Sequence, residues 1–437
     1  MSEKGKIQGL KLKYRAYHDA LTGAKNRYAL EDKINEEINN KREFILLKID
    51  INNFHHLNDT LGLVVGDKIL KKLFLRLEDM FQNAIIISRF GNDEFYILYN
   101  LNDANNKINN LIESLKKPYK RTHGDDMIVT CSIGVIKYPD DASSLKTLIR
   151  YSSIACEKAK LLGGNSIIYF DKSMAKDDEY KLLVQHHVQY ALKNNEFYLN
   201  FQPKFTAKKP HKIMGMEVLI RWESPTLGKV SPAVFIPIIE QLGLVSEVGH
   251  WVFVTALKEF KKWETKGIIH NDTEISISIN FAVPQIQKQD SFDIINKTIL
   301  EIGLDSKYLE VEVTESILMN DKTQIINSLQ KLKDCGISIA MDDFGTGYSS
   351  FGYLQEIPLT SLKIDKIFID DIEKDSRIVK SIISLAHQLN LKVIAEGVEN
   401  KEQLEILSKI DCDYIQGYYF SAPISADKMQ KLILDQQ

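Results

Sequence analysis

Two adjacent carboxylates, Asp342 and Asp343, end an apolar run in GISIAMDD, and Lys363 and Asp365 stand at the end of a second run in SLKID. Strand alternation puts Ile337, Ile339 and Met341 on one face and Ser338, Ala340 and Asp342 on the other, with Asp343 at the rim. In the second run Leu362 and Ile364 oppose Ser361, Lys363 and Asp365. Other runs carry the same kind of residue. EISISIN alternates its isoleucines with Ser276, Ser278 and Asn280, and LEVEVTES opposes Val311 and Val313 to Glu310, Glu312 and Thr314. MGMEVLIRW offers Glu217 and Arg221, and LKVIAEGVE brings Glu396 to the end of its run. Taken singly, each acid reads as a strand-end cap or a surface charge. Together they repel unless cations lie among them. The donors are hard oxygens with no Cys or His cluster beside them, which selects Mg²⁺ or Mn²⁺. A site of this size has room for two ions, a pair suited to activating water and to stabilising both oxygens of an in-line phosphoryl displacement. The chemistry indicated is metal-assisted phosphoester hydrolysis. Lys363 is the one cation expected inside the set, either as a balancing salt bridge or as a stabiliser of developing negative charge. Flanking carboxylates keep it protonated, so it is not expected to be the general base.

An ordinary half-buried sheet would send such polar residues to solvent. Here the strands alternate with helical patterns for about 250 residues, which predicts a parallel sheet closed into a TIM-like α/β barrel, its polar residues facing inward and its site at the strand ends. The first half reads differently. Strand runs at 44–51, 84–90, 94–99, 128–138 and 167–170 alternate with helices, two of them between the first and second runs, and predict an α+β domain ending near Phe170. AIIISRFGNDEFYIL reads as a hairpin in which Gly91 and Asn92 supply positive φ. Asp50 ends FILLKID and is expected to oppose Asp93, a pair of carboxylates able to hold Mg²⁺ against a nucleotide phosphate. Asp171 to Leu183 is a charged, helix-compatible boundary, and His186 and His187 beyond it point apart on a helix, an arrangement unsuited to a shared metal.

Composition sets outer limits. The 437 residues suit two or three domains, and 44% hydrophobic with 26% charged residues is ordinary for globular cores. A net charge of -3 gives no basic footprint for a nucleic acid polymer. Four scattered cysteines, Cys131, Cys156, Cys335 and Cys412, form no metal-ligand spacing and predict reduced thiols in a cytoplasmic protein. No apolar run approaches the about 18 residues a membrane span needs, and the polar N-terminus does not read as a signal peptide.

DALTGAKNR, KIDINNFHHLND followed by GDKIL, RFGNDEF and AKLLGGN resemble, in order and spacing, the signature segments of GGDEF diguanylate cyclase domains over about residues 15 to 172. The resemblance implies a cyclase-like fold with a ferredoxin-like core for residues 1–172. It matches Asp50 and Asp93 to metal-binding acids, Asn58 and Asp67 to guanine contacts and Lys160 to a phosphate contact. The departures fall at functional positions. Asn92 stands where the family has its second glycine, His55 replaces a phosphate-binding lysine, Gly164 replaces a basic residue, and Asn52 replaces the second aspartate of a DxD. QNAI occupies the place of the family's inhibitory RxxD. The expectation is a domain that does not cyclise; whether it binds GTP as a regulator or binds nothing stays open.

Residues about 180 to 437 resemble EAL-type phosphodiesterases that hydrolyse cyclic di-GMP, through FQPKF, EVLIRW, SINFAVPQI, EVTES, DDFGTGYSSFGYLQEIPLTSLKID, AEGVEN and QGYYFSAPI, which implies an EAL domain over 173–437. The resemblance implies that Glu217, Asn280, Glu312 and Asp342 bind one Mg²⁺ or Mn²⁺ and that Asp342 and Asp343 help hold a second. It assigns catalysis to Glu217, Lys363 and Glu396. It assigns substrate binding or its support to Gln202, Leu219, Arg221, Asp365, Glu399 and Gln416. Phe344, Gly345, Thr346, Gly347, Tyr348, Ser349 and Ser350 match a loop that couples dimerisation to metal binding, so a homodimer is expected. The implied product is linear pGpG. Val218 makes the name motif EVL, beside a ligand but not itself one. Two competing readings are a non-catalytic cyclic di-GMP receptor and a bifunctional cyclase and phosphodiesterase.

Overall fold

FILLKIDI, the run that ends beside Asp50, forms the central strand of a five-stranded sheet. The computed structural model describes residues 14–101, 104–119, 126–270, 273–287, 291–315, 322–345 and 354–436. The strands of the first sheet are β1 (Phe44–Ile51), β2 (Ile86–Gly91), β3 (Glu94–Asn100), β4 (Cys131–Tyr138) and β5 (Ile167–Tyr169), ordered β2-β3-β1-β4-β5. Alternate residues of β1 serve two cores. Ile45, Leu47 and Ile49 pack with Ile69, Leu73 and Leu77 of the helix Leu63–Met80. Phe44 and Leu46 pack with Leu30 and Ile34 of Arg27–Asn39 and with Leu148 and Ala155 of Leu145–Leu161. Burial on both faces is why β1 reads as a continuous apolar run. Two helices, Phe54–Leu61 and Leu63–Met80, follow it as the sequence predicts. This is the expected α+β domain with a ferredoxin-like core.

Compact units meet at Leu182 and Leu183, inside the helix Lys172–Ala191. The second unit contains β6 (Phe197–Thr206), β7 (Ile213–Ser224), β8 (Gly228–Val230), β9 (Ser276–Asn280), β10 (Leu309–Thr314), β11 (Ser338–Phe344), β12 (Ser361–Ile364), β13 (Lys392–Ala395), β14 (Tyr414–Ile415) and β15 (Ile424–Ser425). Eight of them close a barrel in the order β6-β14-β13-β12-β11-β10-β9-β7, with β7 returning to β6. Seven are mutually parallel, while β6 runs antiparallel to both neighbours. That strand corrects the expectation of a purely parallel sheet. Only residues 207–212 join β6 to β7, too short a connection for the crossover of a dozen or more residues that parallel neighbours need.

Helices such as Val245–Thr265 supply the outer layer, burying Val252, Phe253, Ala256, Leu257 and Phe260. The lumen is polar instead. Lys204, Glu217, Ser278, Glu310, Glu312, Ser361 and Lys363 are all buried, the inward placement that alternation predicts for β9, β10 and β12.

Candidate active site

The parallel strands β9 to β13 run toward one end of the barrel, and their C-terminal residues bring the acids together. Glu312 lies in the middle of β10 with no exposure, next in register to Asn280 on β9 and Ala340 on β11. Carboxylate oxygens of Glu217, Glu312 and Asp342 lie within 4.8 Å of one another, and so do those of Asp342, Asp343 and Glu396. Asp342 belongs to both groups. Asn280 donates from Nδ2 to Glu217 Oε1 at 2.7 Å, which leaves its amide oxygen as a further donor atom for an ion. Donors of this kind, hard oxygens gathered in two overlapping sets, fit a pair of Mg²⁺ or Mn²⁺ ions.

Strict alternation would turn Asp343 away from Asp342. The structure overrides it: the register between β11 and β12 shifts between Met341 and Phe344, and Asp343 takes a left-handed φ of 53°. The bulge re-aims one side chain, so two consecutive carboxylates reach the same place. Asp343 also lies against Asp365, whose Oδ1 accepts from Ile367 N at 2.7 Å and caps the helix Lys366–Asp370.

Lys363, 1% exposed on β12, is enclosed by acids. Its Nζ lies 2.6 Å from Glu396, 2.8 Å from Glu312, 3.1 Å from Asp342 and 3.5 Å from Glu217. Burial opposes its charge, yet Glu217, Glu312, Glu396 and Asp342 outweigh it and hold the ammonium protonated far beyond the ordinary lysine range. The acids split in their response. Burial pushes Glu396 up to about 8 and Asp343 up to about 6, each assisted by Asp342. Glu217 also rises, first through burial and then through Glu312. Glu312 goes the other way: burial works against its charge, but Lys204 and Lys363 bring it down to about 2.

Lys204 corrects the expectation that Lys363 is the one cation in the set. It projects from β6, is 3% exposed, and donates to Glu312 Oε1 at 2.7 Å. FQPKF carries the signal, since alternation places Lys204 with Gln202 opposite Phe201 and Phe205. Glu315 is a second residue that the sequence reading passed over: its Oε2 accepts from Gly345 N at 3.1 Å and ties the end of β10 to the loop after β11.

Gln416 Nε2 donates to Glu217 Oε2 at 2.6 Å and to Gln202 Oε1 at 3.1 Å, so both glutamines border Glu217. Leu219 and Arg221 lie instead on the wall of an adjoining cavity of about 590 Å³, together with Asn280 and Thr314. Glu399 is turned aside, its carboxylate paired with Lys366. Phe344 is buried and Gly345 adopts a φ of 99°; Thr346, Gly347, Tyr348, Ser349 and Ser350 lie outside the described residues.

In the N-terminal domain Asp50 faces Glu94, not Asp93, across β1 and β3, because the turn consists of Asn92 and Asp93 between Gly91 and Glu94. Of Gly91 and Asn92, only Asn92 has positive φ. Asp93 still lies near Asp50: burial first, and then the Asp50 charge, raise its pKa. Both acids of the β1–β3 pair already have cations. Lys160 lies 2.8 Å from Asp50, and Lys48, 9% exposed, lies 2.7 Å from Glu94. They line a cavity of about 360 Å³ with Arg150. Asn52 is consumed internally, donating to Thr130 Oγ1 and accepting from Ser132 Oγ. His55 is exposed and pairs with Asp59. Asn58 Oδ1 is buried with no hydrogen-bond partner, 1.9 Å from where a Cβ on Gly66 would lie, and Asp67 is exposed. On their helix His186 is exposed and His187 half-buried.

Comparison with known proteins agrees with this division. The EAL domain family matches residues 185–423, and the family described as "Diguanylate cyclase, GGDEF domain" matches residues 16–166. The signaling protein YkoW of Bacillus subtilis is 34% identical over 435 residues, covering 96% of this chain and 53% of that protein. The bifunctional diguanylate cyclase/cyclic di-GMP phosphodiesterase MucR of Pseudomonas aeruginosa is 33% identical, covering 95% of this chain and 61% of that protein. The chain therefore spans between about half and three fifths of these relatives. A solved structure of the PaMucR phosphodiesterase in complex with c-di-GMP is 34% identical with a TM-score of 0.53, covering 56% of this chain and 99% of that one. The chain belongs to the EAL family, with a GGDEF domain preceding its EAL domain.

Proposed function

We propose that the barrel domain is a cyclic di-GMP-specific phosphodiesterase that forms linear pGpG, acting in the cytoplasm. The observation that carries this reading is the pair of acid groups sharing Asp342 around a buried Lys363. Such a set suits two divalent ions and a phosphodiester, and the relative MucR bears cyclic di-GMP phosphodiesterase activity in its name. Two ions bound there would supply Lewis acidity to the scissile phosphate and to the attacking water. Glu217, Asn280, Glu312 and Asp342 would hold one, and Asp342 with Asp343 would hold the other. Lys363, fixed as an ammonium, stabilises negative charge at the attacking oxygen, with Glu396 at 2.6 Å orienting it. Arg221 in the adjoining cavity has the fork geometry for a phosphate. Gln202 and Gln416 align Glu217, and Leu219 offers an apolar wall to the substrate.

The N-terminal domain is read as non-cyclising, with Asp50, Asn58, Asp67, Asp93 and Lys160 as the contacts through which it would take GTP as a regulator. Its support is that Lys160 already neutralises Asp50, an acid that a cyclase metal would need, while Lys48 occupies Glu94 across the strand pair. Homodimer formation through the region after the FGTGYSS loop belongs to the same proposal.

The test is incubation of the purified chain with cyclic di-GMP and Mg²⁺ or Mn²⁺, with and without GTP, followed by chromatography of the nucleotides. Appearance of pGpG, abolished by Glu217→Ala, supports the phosphodiesterase. Bound but unchanged cyclic di-GMP would make the domain a receptor.

A further inference from the structure

Beneath the acid cluster lies a second buried network that the proposed mechanism does not use. Lys204 Nζ donates to Glu310 Oε1 at 2.8 Å, Ser278 Oγ at 2.6 Å and Glu312 Oε1 at 2.7 Å. An ammonium has three donors, and these contacts use them all. Both oxygens of Glu310 are engaged as well: Ser278 Oγ donates to its Oε1 at 2.6 Å and Ser361 Oγ to its Oε2 at 2.8 Å. Four strands, β6, β9, β10 and β12, each contribute a side chain to this floor, and Lys204, Ser278, Glu310 and Ser361 are all at most 8% exposed.

The consequence falls on Glu312. Its Oε1 takes Lys204 and its Oε2 takes Lys363 at 2.8 Å, so ammonium groups from β6 and β12 fix the carboxylate plane from two sides. Glu310 neutralises Lys204 from below, so the lysine can stand beside a cation site without adding net charge to it.

We propose that Lys204 is a positioning residue for the divalent-metal site: it holds Glu312 Oε1 and thereby fixes the direction from which Glu312 can meet an ion. Partners that orient a metal ligand typically contribute about 10- to 100-fold to metal affinity or activity. The assignment of Glu312 as a ligand rests on the function proposed above. The role of Lys204 can nonetheless be read from metal binding without turnover.

Lys204→Met alone would strand the Glu310 charge, and its damage could be purely structural. The informative variant is Lys204→Met combined with Glu310→Gln, which removes one charge of each sign and leaves the net charge of the cluster unchanged. Full-length, chelator-treated protein is titrated with Mn²⁺, and free ion is measured by electron paramagnetic resonance. The double variant is expected to bind Mn²⁺ at least about tenfold more weakly than the unaltered chain, and more weakly than Glu310→Gln alone, which keeps Lys204 on Glu312 but leaves its charge uncompensated. The metal concentration for half-maximal hydrolysis should rise by the same factor, with KM for cyclic di-GMP unchanged. Affinity of the double variant within about twofold of the unaltered chain would overturn the proposal, reducing Lys204 to a counter-charge for Glu310. An equal loss in Glu310→Gln, or no Mn²⁺ binding by the unaltered chain, would overturn it too. If that chain binds Mn²⁺ yet leaves cyclic di-GMP intact, the phosphodiesterase reading fails while the affinity comparison still decides the role of Lys204.

Discussion

Lys363 has two roles open to it, charge balance and catalysis, and they differ in what metal can replace. Its removal leaves Glu217, Asp342 and Glu396 without their shared ammonium, and breaking a buried pair in this way costs about 3–5 kcal/mol. In chelator-treated protein, Lys363→Met should therefore shift denaturant unfolding by that amount. Divalent ions supply positive charge to the same acids, so Mg²⁺ should restore most of the stability. They do not restore an ammonium at the attacking oxygen. Turnover should stay about 10²- to 10³-fold low at saturating Mg²⁺. Recovery of both quantities would leave Lys363 as a counter-ion alone. At this scale much of the site was legible: hard-oxygen residues closing several apolar runs pointed to Glu217, Asn280, Glu312, Asp342 and Glu396, and these meet. Glu399 was not legible, because its pairing with Lys366 depends on how the segment after β13 folds back, which a residue's type does not encode.

Among the described residues from β11 to the helix Lys366–Asp370, Asp343 and Gly345 both take a left-handed φ. A two-residue period predicts the inward faces of β9, β10 and β12, and the structure agrees. It fails at Asp343, where the register shift resets the period, and it misses the antiparallel course of β6, which follows from a short connection and not from any strand pattern. Lys204 went unread for a related reason: its face is plain in FQPKF, but only barrel closure by β6 shows that this face looks inward. Gly345 tests the coupling within this segment. Its φ of 99° disfavours any side chain, and an added Cβ would come within 2.7 Å of Phe368 Cε2 on the helix capped by Asp365. Gly345→Ala should cost about 1–2 kcal/mol through the backbone alone. Displacing Phe368 should carry Asp365, and with it Asp343, out of place. The Asp342–Asp343–Glu396 group should then bind Mn²⁺ several-fold more weakly, with the Glu217–Glu312–Asp342 group little changed. A titration in which both sites weaken equally, or neither does, would count against this route.

Across the whole barrel, the acid cluster makes stability depend on pH and on metal in a way whose sign can be worked out. Glu396 rises from 4.5 to about 8 and Asp343 from 3.8 to about 6 in the metal-free fold. For a raised acid the native state binds the proton more tightly than the unfolded chain. Its contribution is fully present below the unfolded pKa and is lost as pH climbs through the folded one. Glu312, lowered from 4.5 to about 2, contributes above 4.5 and loses that contribution only as pH falls toward 2, so it does not alter the trend above 4.5. Chelator-treated protein should accordingly unfold at progressively lower temperature between about pH 5 and about pH 8. Mg²⁺ binds the ionised carboxylates, so saturating ion should flatten that decline and release protons on binding. Calorimetric titration at neutral pH, in two buffers of different ionisation enthalpy, should report release approaching one proton, chiefly from Glu396. A melting temperature that does not fall over that range without metal, or binding with no proton release, would mean that Glu396 and Asp343 ionise freely before any ion arrives. The cluster would then be less tightly closed around Lys363 than these distances imply.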